Sequence, residues 1–201
     1  KATGRVQKDI PIVKAEDERA TGRLTGYPLP QEGEVNRLHL LSGSWFEESP
    51  AGNIGVLVDP QFFVANHLTA GDSLEVIAGG KKVVLTVIGT AVSPEFVYPM
   101  PDAAALVPEP ERFGIIMIPQ IQAQQILGYP GQINQVVVDL APGADETAVV
   151  REIERILEPY GNLASYPRRD QLSHAALQAE LDGLKTMSGS LPLVFFLIAA
   201  A

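Results

Sequence analysis

Cysteine is absent from this chain of 201 residues. Its absence excludes disulfides, thiolate metal sites and cysteine nucleophiles together, and leaves the redox compartment open. Positive charge is scarce: 15 Lys and Arg stand against 24 Asp and Glu, a formal net charge of −9. Such a chain repels a phosphate backbone, so nucleic acid is not expected as a partner. The only three histidines, His39, His67 and His174, sit in unrelated segments without the i, i+4 or short-loop spacing of metal ligands. No glycine-rich loop precedes a helix in the order a phosphate cradle requires. No metal and no cofactor is therefore expected. Long apolar runs are missing too: "LPLVFFLIAAA" at Leu191–Ala201 falls short of the roughly 20 residues that span a bilayer.

What is present describes a folded protein. Hydrophobic residues make up 46% and charged residues 19%, the opposite of a disordered composition, and the length suits one or two compact units. The chain opens on Lys1 rather than Met and shows no charged-then-apolar leader, so it is expected to begin inside a longer gene product. Its apolar end reads either as a buried C-terminal element or as the start of a transmembrane helix cut midway.

Periodicity divides the chain as follows. Val6–Val13 and "RATGRLTGYPLP" read as two strands around the polar turn "KAEDERA". "VNRLHLLSGSWFEES" is mixed turn and short strand, with Trp45 and Phe46 as core anchors rather than a stacking platform. "NIGVLVD" is a buried strand feeding the short helix "PQFFVANHL", with Asp59 as N-cap and Pro60 at the first helical position. Two strand-forming runs flank Gly79-Gly80, a pair suited to the positive φ angles of a tight hairpin. "FGIIMIP" is another buried strand, "QIQAQQIL" a short helix and "QINQVVVDL" a further strand. An amphipathic helix follows, capped near Asp145, with Val149, Ile153, Ile156 and Leu157 on one face. With "NLASYP" as the next strand, residues 132–167 are expected to form one β-α-β unit. Arg168–Ser188 reads as a polar helix with a thin apolar stripe, leading into the apolar tail.

Gly71-Asp72-Ser73-Leu74 spells the signature of a serine esterase family, which would make Ser73 a nucleophile. That chemistry needs an oxyanion hole and an activating Asp-x-x-His pair. The late histidine here, His174, follows Asp170 by four residues instead of three. Gly71-Asp72 also precedes a strand rather than a helix. The stretch reads better as a turn with Asp72 bonding the local backbone.

The order "NRLHLLSGSWFEE", then "NIGVLVDPQFFVANHLTAGDSLEVIAGGKKVVLTVIGTA", then a β-α-β unit, then a polar helix entering "LPLVFFLIAAA", resembles the extracytoplasmic (periplasmic) core domain of MacB-like and FtsX-like ABC transporter permeases. The matching positions are Leu40-Leu41-Ser42-Gly43, Ile54–Leu68, Gly71-Asp72 and Val87-Ile88-Gly89, and the likeness covers roughly residues 30–201. It implies an α+β fold with mixed sheets: a porter-like β-α-β part from residues 1–30 and 132–188, a central mainly β part from 31–131, and the start of a transmembrane helix at 189–201. It implies a non-catalytic domain on the outer side of the inner (plasma) membrane, coupling cytoplasmic ATP hydrolysis to substrate export or extracytoplasmic signalling. The partners implied are a second permease subunit in a dimer, a cytoplasmic ATPase subunit or domain reached through the membrane part, and a periplasmic or cell-wall partner. The alternatives are a soluble serine esterase using Ser73 and a soluble extracytoplasmic binding protein whose tail is core.

Two further expectations come from the residues. The five-proline arm 93–110, which matches nothing in the family pattern, carries Phe96, Val97, Tyr98 and Met100 as candidate contacts to a partner or substrate. Gly189 and Pro192 interrupt the helix-forming pattern at the junction with the apolar tail, where a hinge is expected.

Overall fold

The computed structural model describes residues 1–14, 19–46, 54–102, 104, 105 and 107–199, with the backbone alone for 189–199. The fold is α+β with mixed sheets. Strands β2 (Gln7–Val13), β3 (Arg19–Tyr27), β4 (His39–Gly43), β5 (Gly55–Val58), β6 (Ser73–Ala78), β7 (Lys81–Val92) and β8 (Phe113–Pro119) form one sheet in the order β4-β7-β5-β8-β3-β2-β6. Because β6 pairs with β7 as well as β2, six strands close into a ring with β4 hung on its rim. Closure removes the free edges at which strands aggregate. A second, two-stranded sheet joins β1 (Ala2–Arg5) antiparallel to β9 (Gln135–Val138). The helices are α1 (Pro60–Ala65), α2 (Gln120–Leu127), α3 (Glu146–Leu157) and α4 (Leu172–Ala199).

β8 shows why "FGIIMIP" carries no polar alternation. Ile116 and Ile118 point into the ring beside Leu24, Val58, Leu85 and Phe62, whereas Phe113, Ile115 and Met117 point outward into a second cluster with Tyr27, Leu57 and Phe46. A strand covered on both faces reads as a continuous apolar run. The hairpin between β6 and β7 turns at Gly79 and Gly80, with φ of 56° and 74°, as a primed turn demands. Asp59 caps α1 by accepting from Phe62 N at 2.9 Å, and Asp145 caps α3 through Ala148 N at 3.1 Å, both as expected. Trp45 and Phe46 stack at 5.1 Å between centroids against the second cluster. Residues 15–18 of the expected β2–β3 turn and 47–53 lie outside the described residues.

Two of the quoted sequence patterns prove to be halves of one contact. Gly43 pairs with Gly89 across β4 and β7, and a Cβ on either would stand 2.1 Å from a carbonyl oxygen, Ile88 O for Gly43 and Ser42 O for Gly89. Side chains are excluded because the backbones touch.

Elsewhere the structure differs from expectation. Residues 162–167 enter no strand ladder, and Leu163 is fully exposed, so the expected β-α-β unit lacks its second strand. A strand pattern nominates a segment but supplies no partner, and the one ladder β9 makes goes to β1. Of residues 1–30, β1 alone pairs with the 132–188 region, whereas β3 runs parallel to β8 over seven residue pairs. Ile156 on the apolar face of α3 is exposed, and no residue of that helix is buried.

Candidate functional site

The arm that leaves β7 is where the two sheets and the long helix meet. Ser93 is buried at its start, and Phe96 N donates to Ser93 O at 3.1 Å, turning the chain back on itself. Glu95 is thereby aimed inward, where its carboxylate forms an ion pair with Arg5 of β1 and accepts from Asn36 Nδ2. Arg5 is 2% exposed. Its Nε donates to Gln135 Oε1 of β9 at 2.6 Å, and its guanidinium lies 5.7 Å from the centre of the Tyr27 ring. A charge so deeply buried is tolerable only with this kind of pairing. Tyr27 itself is enclosed, with Ser93 and Arg5 beside its hydroxyl but neither in hydrogen-bond geometry. Burial pushes its pKa up to about 12, against the opposing pull of Arg5.

A second arginine fixes the far end of the arm. Arg23 of β3 chelates Asp9 of β2 at 2.7 and 2.8 Å and donates to Pro101 O at 2.7 Å and Met100 O at 3.3 Å. Its guanidinium also covers the Phe113 ring at 5.1 Å. Guanidinium forks suit this work because they satisfy several acceptors and an aromatic face at once.

The arm in turn carries α4. Gln171 Nε2 donates to Glu95 O at 2.7 Å while its Oε1 accepts from His174 N at 2.9 Å, closing the first turn of the helix. Tyr98 N donates to Ser173 Oγ at 2.7 Å, the Tyr98 hydroxyl donates to the Glu180 carboxylate, and Arg168 Nη2 donates to Pro94 O at 3.2 Å. The Arg169–Glu146 ion pair ties the preceding turn to α3. Beyond these contacts α4 leaves the body: every residue from Gln178 to Ser188 is exposed, including Leu181, Leu184 and Met187 of the apolar stripe. The helix continues through Gly189 and Pro192 to Ala199. At 1.5 Å per residue, the part beyond Gln178 projects roughly 30 Å.

The four expected contact residues of the arm behave differently from one another. Met100 is buried, Phe96 packs on the second core cluster and Tyr98 is engaged by α4, so only Val97, 46% exposed, stands free. Ser73 is exposed at the first position of β6, opposite Thr86. Asp72 closes the turn before it by accepting from Thr69 N at 2.7 Å. Among the described residues no histidine is hydrogen-bonded to Ser73; His174 sits on α4 and His39 at the start of β4.

No protein family model matches the chain, and no curated protein matches it. Among solved structures, one similar fold is the extracellular domain of the noncanonic ABC-type transporter YknZ from Gram-positive bacteria. It is 13% identical, with a TM-score of 0.48, over 82% of this chain and 78% of that one.

No helix among the described residues is long and apolar enough to cross a membrane.

Proposed function

We propose that this chain is the extracytoplasmic domain of an ABC transporter permease, non-catalytic itself, which receives motion from the membrane through α4. The observation that carries the reading is the way α4 is mounted. Its first two turns are bonded to the arm, its next turns are exposed on all sides, and its sequence passes from charged to wholly apolar at Gly189. A helix of that kind links a folded body to a lipid phase. The order of motifs that resembles MacB-like and FtsX-like permeases supports the same assignment. In this reading the apolar run 191–201 enters the bilayer, a cytoplasmic ATPase drives the movement, and a second permease subunit and a periplasmic or cell-wall protein are the partners. Residues 1–30 with 132–188 act as the porter-like part next to α4, and 31–131 as the central part. Val97 is left to meet a partner, and Gly189 with Pro192 is where α4 bends, because Pro192 withholds one N–H from the helical ladder.

The absence of native cysteine makes a direct test simple. Val64 is 71% exposed, and in the full-length gene product V64C should react with a membrane-impermeant maleimide on intact cells. Labelling only after lysis would overturn the extracytoplasmic placement. Release of the V64C protein into the soluble fraction would favour a soluble binding protein instead.

A further inference from the structure

Behind the arm lies a cavity of about 470 Å³, within the range of small-molecule sites. Its walls come from the end of β7, the arm, the start of α1 and the start of β4. Three of the lining residues are Pro60, Pro94 and Pro99, which have no N–H to donate and hold their φ fixed. Phe96, Val97 and Met117 complete an apolar surface that is preformed rather than assembled on binding. Two cations stand against this lining. Arg37 and His39 both border the cavity, both are exposed, and neither has a hydrogen-bond or ion-pair partner among the described residues. In a chain of net charge −9, an arginine left without a carboxylate is an exception. Asp59 is the one acidic group in the lining, and both its oxygens are occupied, by Phe62 N at 2.9 Å and Ile115 N at 2.7 Å. It therefore has no accepting position turned to a ligand cation.

We infer that this cavity binds a small carboxylate with an apolar tail, the tail against the proline and Phe96 surface and the anion at Arg37 and His39. The inference stands on the cavity and does not require the transporter reading. An apolar lining removes the tail from water at about 25 cal/mol per Å² of area buried. The guanidinium supplies the paired donors that a planar carboxylate accepts.

The test uses the intact 201-residue chain and three probes of equal tail length, octanoate, octan-1-ol and octylammonium, followed residue by residue in amide NMR spectra. Octanoate should saturate shifts at Ala91, Val92, Phe96 and Val97, with octan-1-ol and octylammonium about tenfold weaker, as loss of one charge-assisted hydrogen bond requires. Arg37→Ala should weaken octanoate by a similar factor and leave octan-1-ol unchanged. Val97→Trp, at an exposed position that tolerates the change, should fill the mouth and weaken all three. Equal or tighter binding of octylammonium would overturn the assignment of the anion. Shifts confined to residues 189–201, or shifts that do not saturate, would overturn the site itself.

Discussion

Removing the carboxylate of Glu95 is the most informative single perturbation of this domain. Arg5 is 2% exposed, and its acceptors among the described residues are Glu95 and Gln135 Oε1. In Glu95→Ala the guanidinium keeps one neutral acceptor and the face of Tyr27, and its charge is left without a counter-ion in a dry site. Breaking a buried pair from one side costs about 3–5 kcal/mol, out of about 5–15 for a whole domain. For a chain of this length that lowers the melting temperature by roughly 6–20 °C. Arg5→Met combined with Glu95→Ala removes both charges and should return to within about 1 kcal/mol of the parent, since a buried pair and its apolar replacement are close in energy. Thermal and urea unfolding of the two single variants and the double, at pH 7, give the cycle. Raising the salt concentration should barely change the result, because an enclosed pair is little screened. If Glu95→Ala costs under about 1 kcal/mol, as an exposed ion pair would, the reasoning that Arg5 is a committed buried charge fails.

Other expectations follow from neighbouring contacts. Tyr27→Phe deletes a hydroxyl that is buried without a partner, so it should stabilise by about 1 kcal/mol or leave stability unchanged. It should also flatten the alkaline limb of the stability curve. The folded pKa of about 12 exceeds the ordinary 10.0, so the unfolded chain loses its proton first, and the parent sheds roughly 3 kcal/mol between pH 10 and 12, at 1.36 kcal/mol per pKa unit. Urea titrations across that window check both statements. Gly114→Ala would place a Cβ 2.3 Å from the Phe62 ring, and overpacking of that kind should cost about 1–3 kcal/mol in unfolding experiments. Gly189→Ala with Pro192→Ala, made in the full-length protein, should stiffen α4 and reduce transport while the melting temperature of the domain is unchanged. Undiminished transport would show that bending at this junction is not needed.

Local rules were sufficient for most of the elements. Asp59 and Asp145 announced helix starts, Gly79-Gly80 announced a hairpin, and the uniform run at β8 announced burial on both faces. What could not be read was partnership at long range. The segment 162–167 has the composition of a strand, but a strand exists only where another offers its N–H and C=O groups. Nor does period alone tell that β3 lies beside β8, some 90 residues away in the chain. The junction was the larger omission. Its charged members, Arg5, Arg23 and Glu95, look like ordinary surface residues one at a time. The signal was faint but present: Arg5 falls on the same alternating register as Thr3, a buried face of β1, and an arginine there requires an anion. Proline content marked the arm as irregular. It could not show that two arginines pin the arm to the domain and that only Val97 is left exposed among its candidate contacts.

The distribution of bond strengths around the arm sets the order in which the domain yields. Arg5–Glu95 and the Arg23 chelate join the arm to the strands, and the first of these is fully enclosed. The arm's bonds to α4 are of another kind: Gln171 to a carbonyl, Tyr98 N to Ser173, and the exposed contacts of Arg168 and Tyr98. At a net value of about 1 kcal/mol each, their sum of about 4 kcal/mol is matched by the single buried pair beneath them. A force applied along the exposed turns of α4 therefore strains the seam between helix and arm before it disturbs the ring of strands. Local opening at that seam is the lowest-energy excursion of the assembly. The ring, closed and cored on both faces of β8, moves as one body. A device that converts helix displacement into movement of a rigid domain needs this gradation, with the compliant contact at the mount and the stiff ones inside.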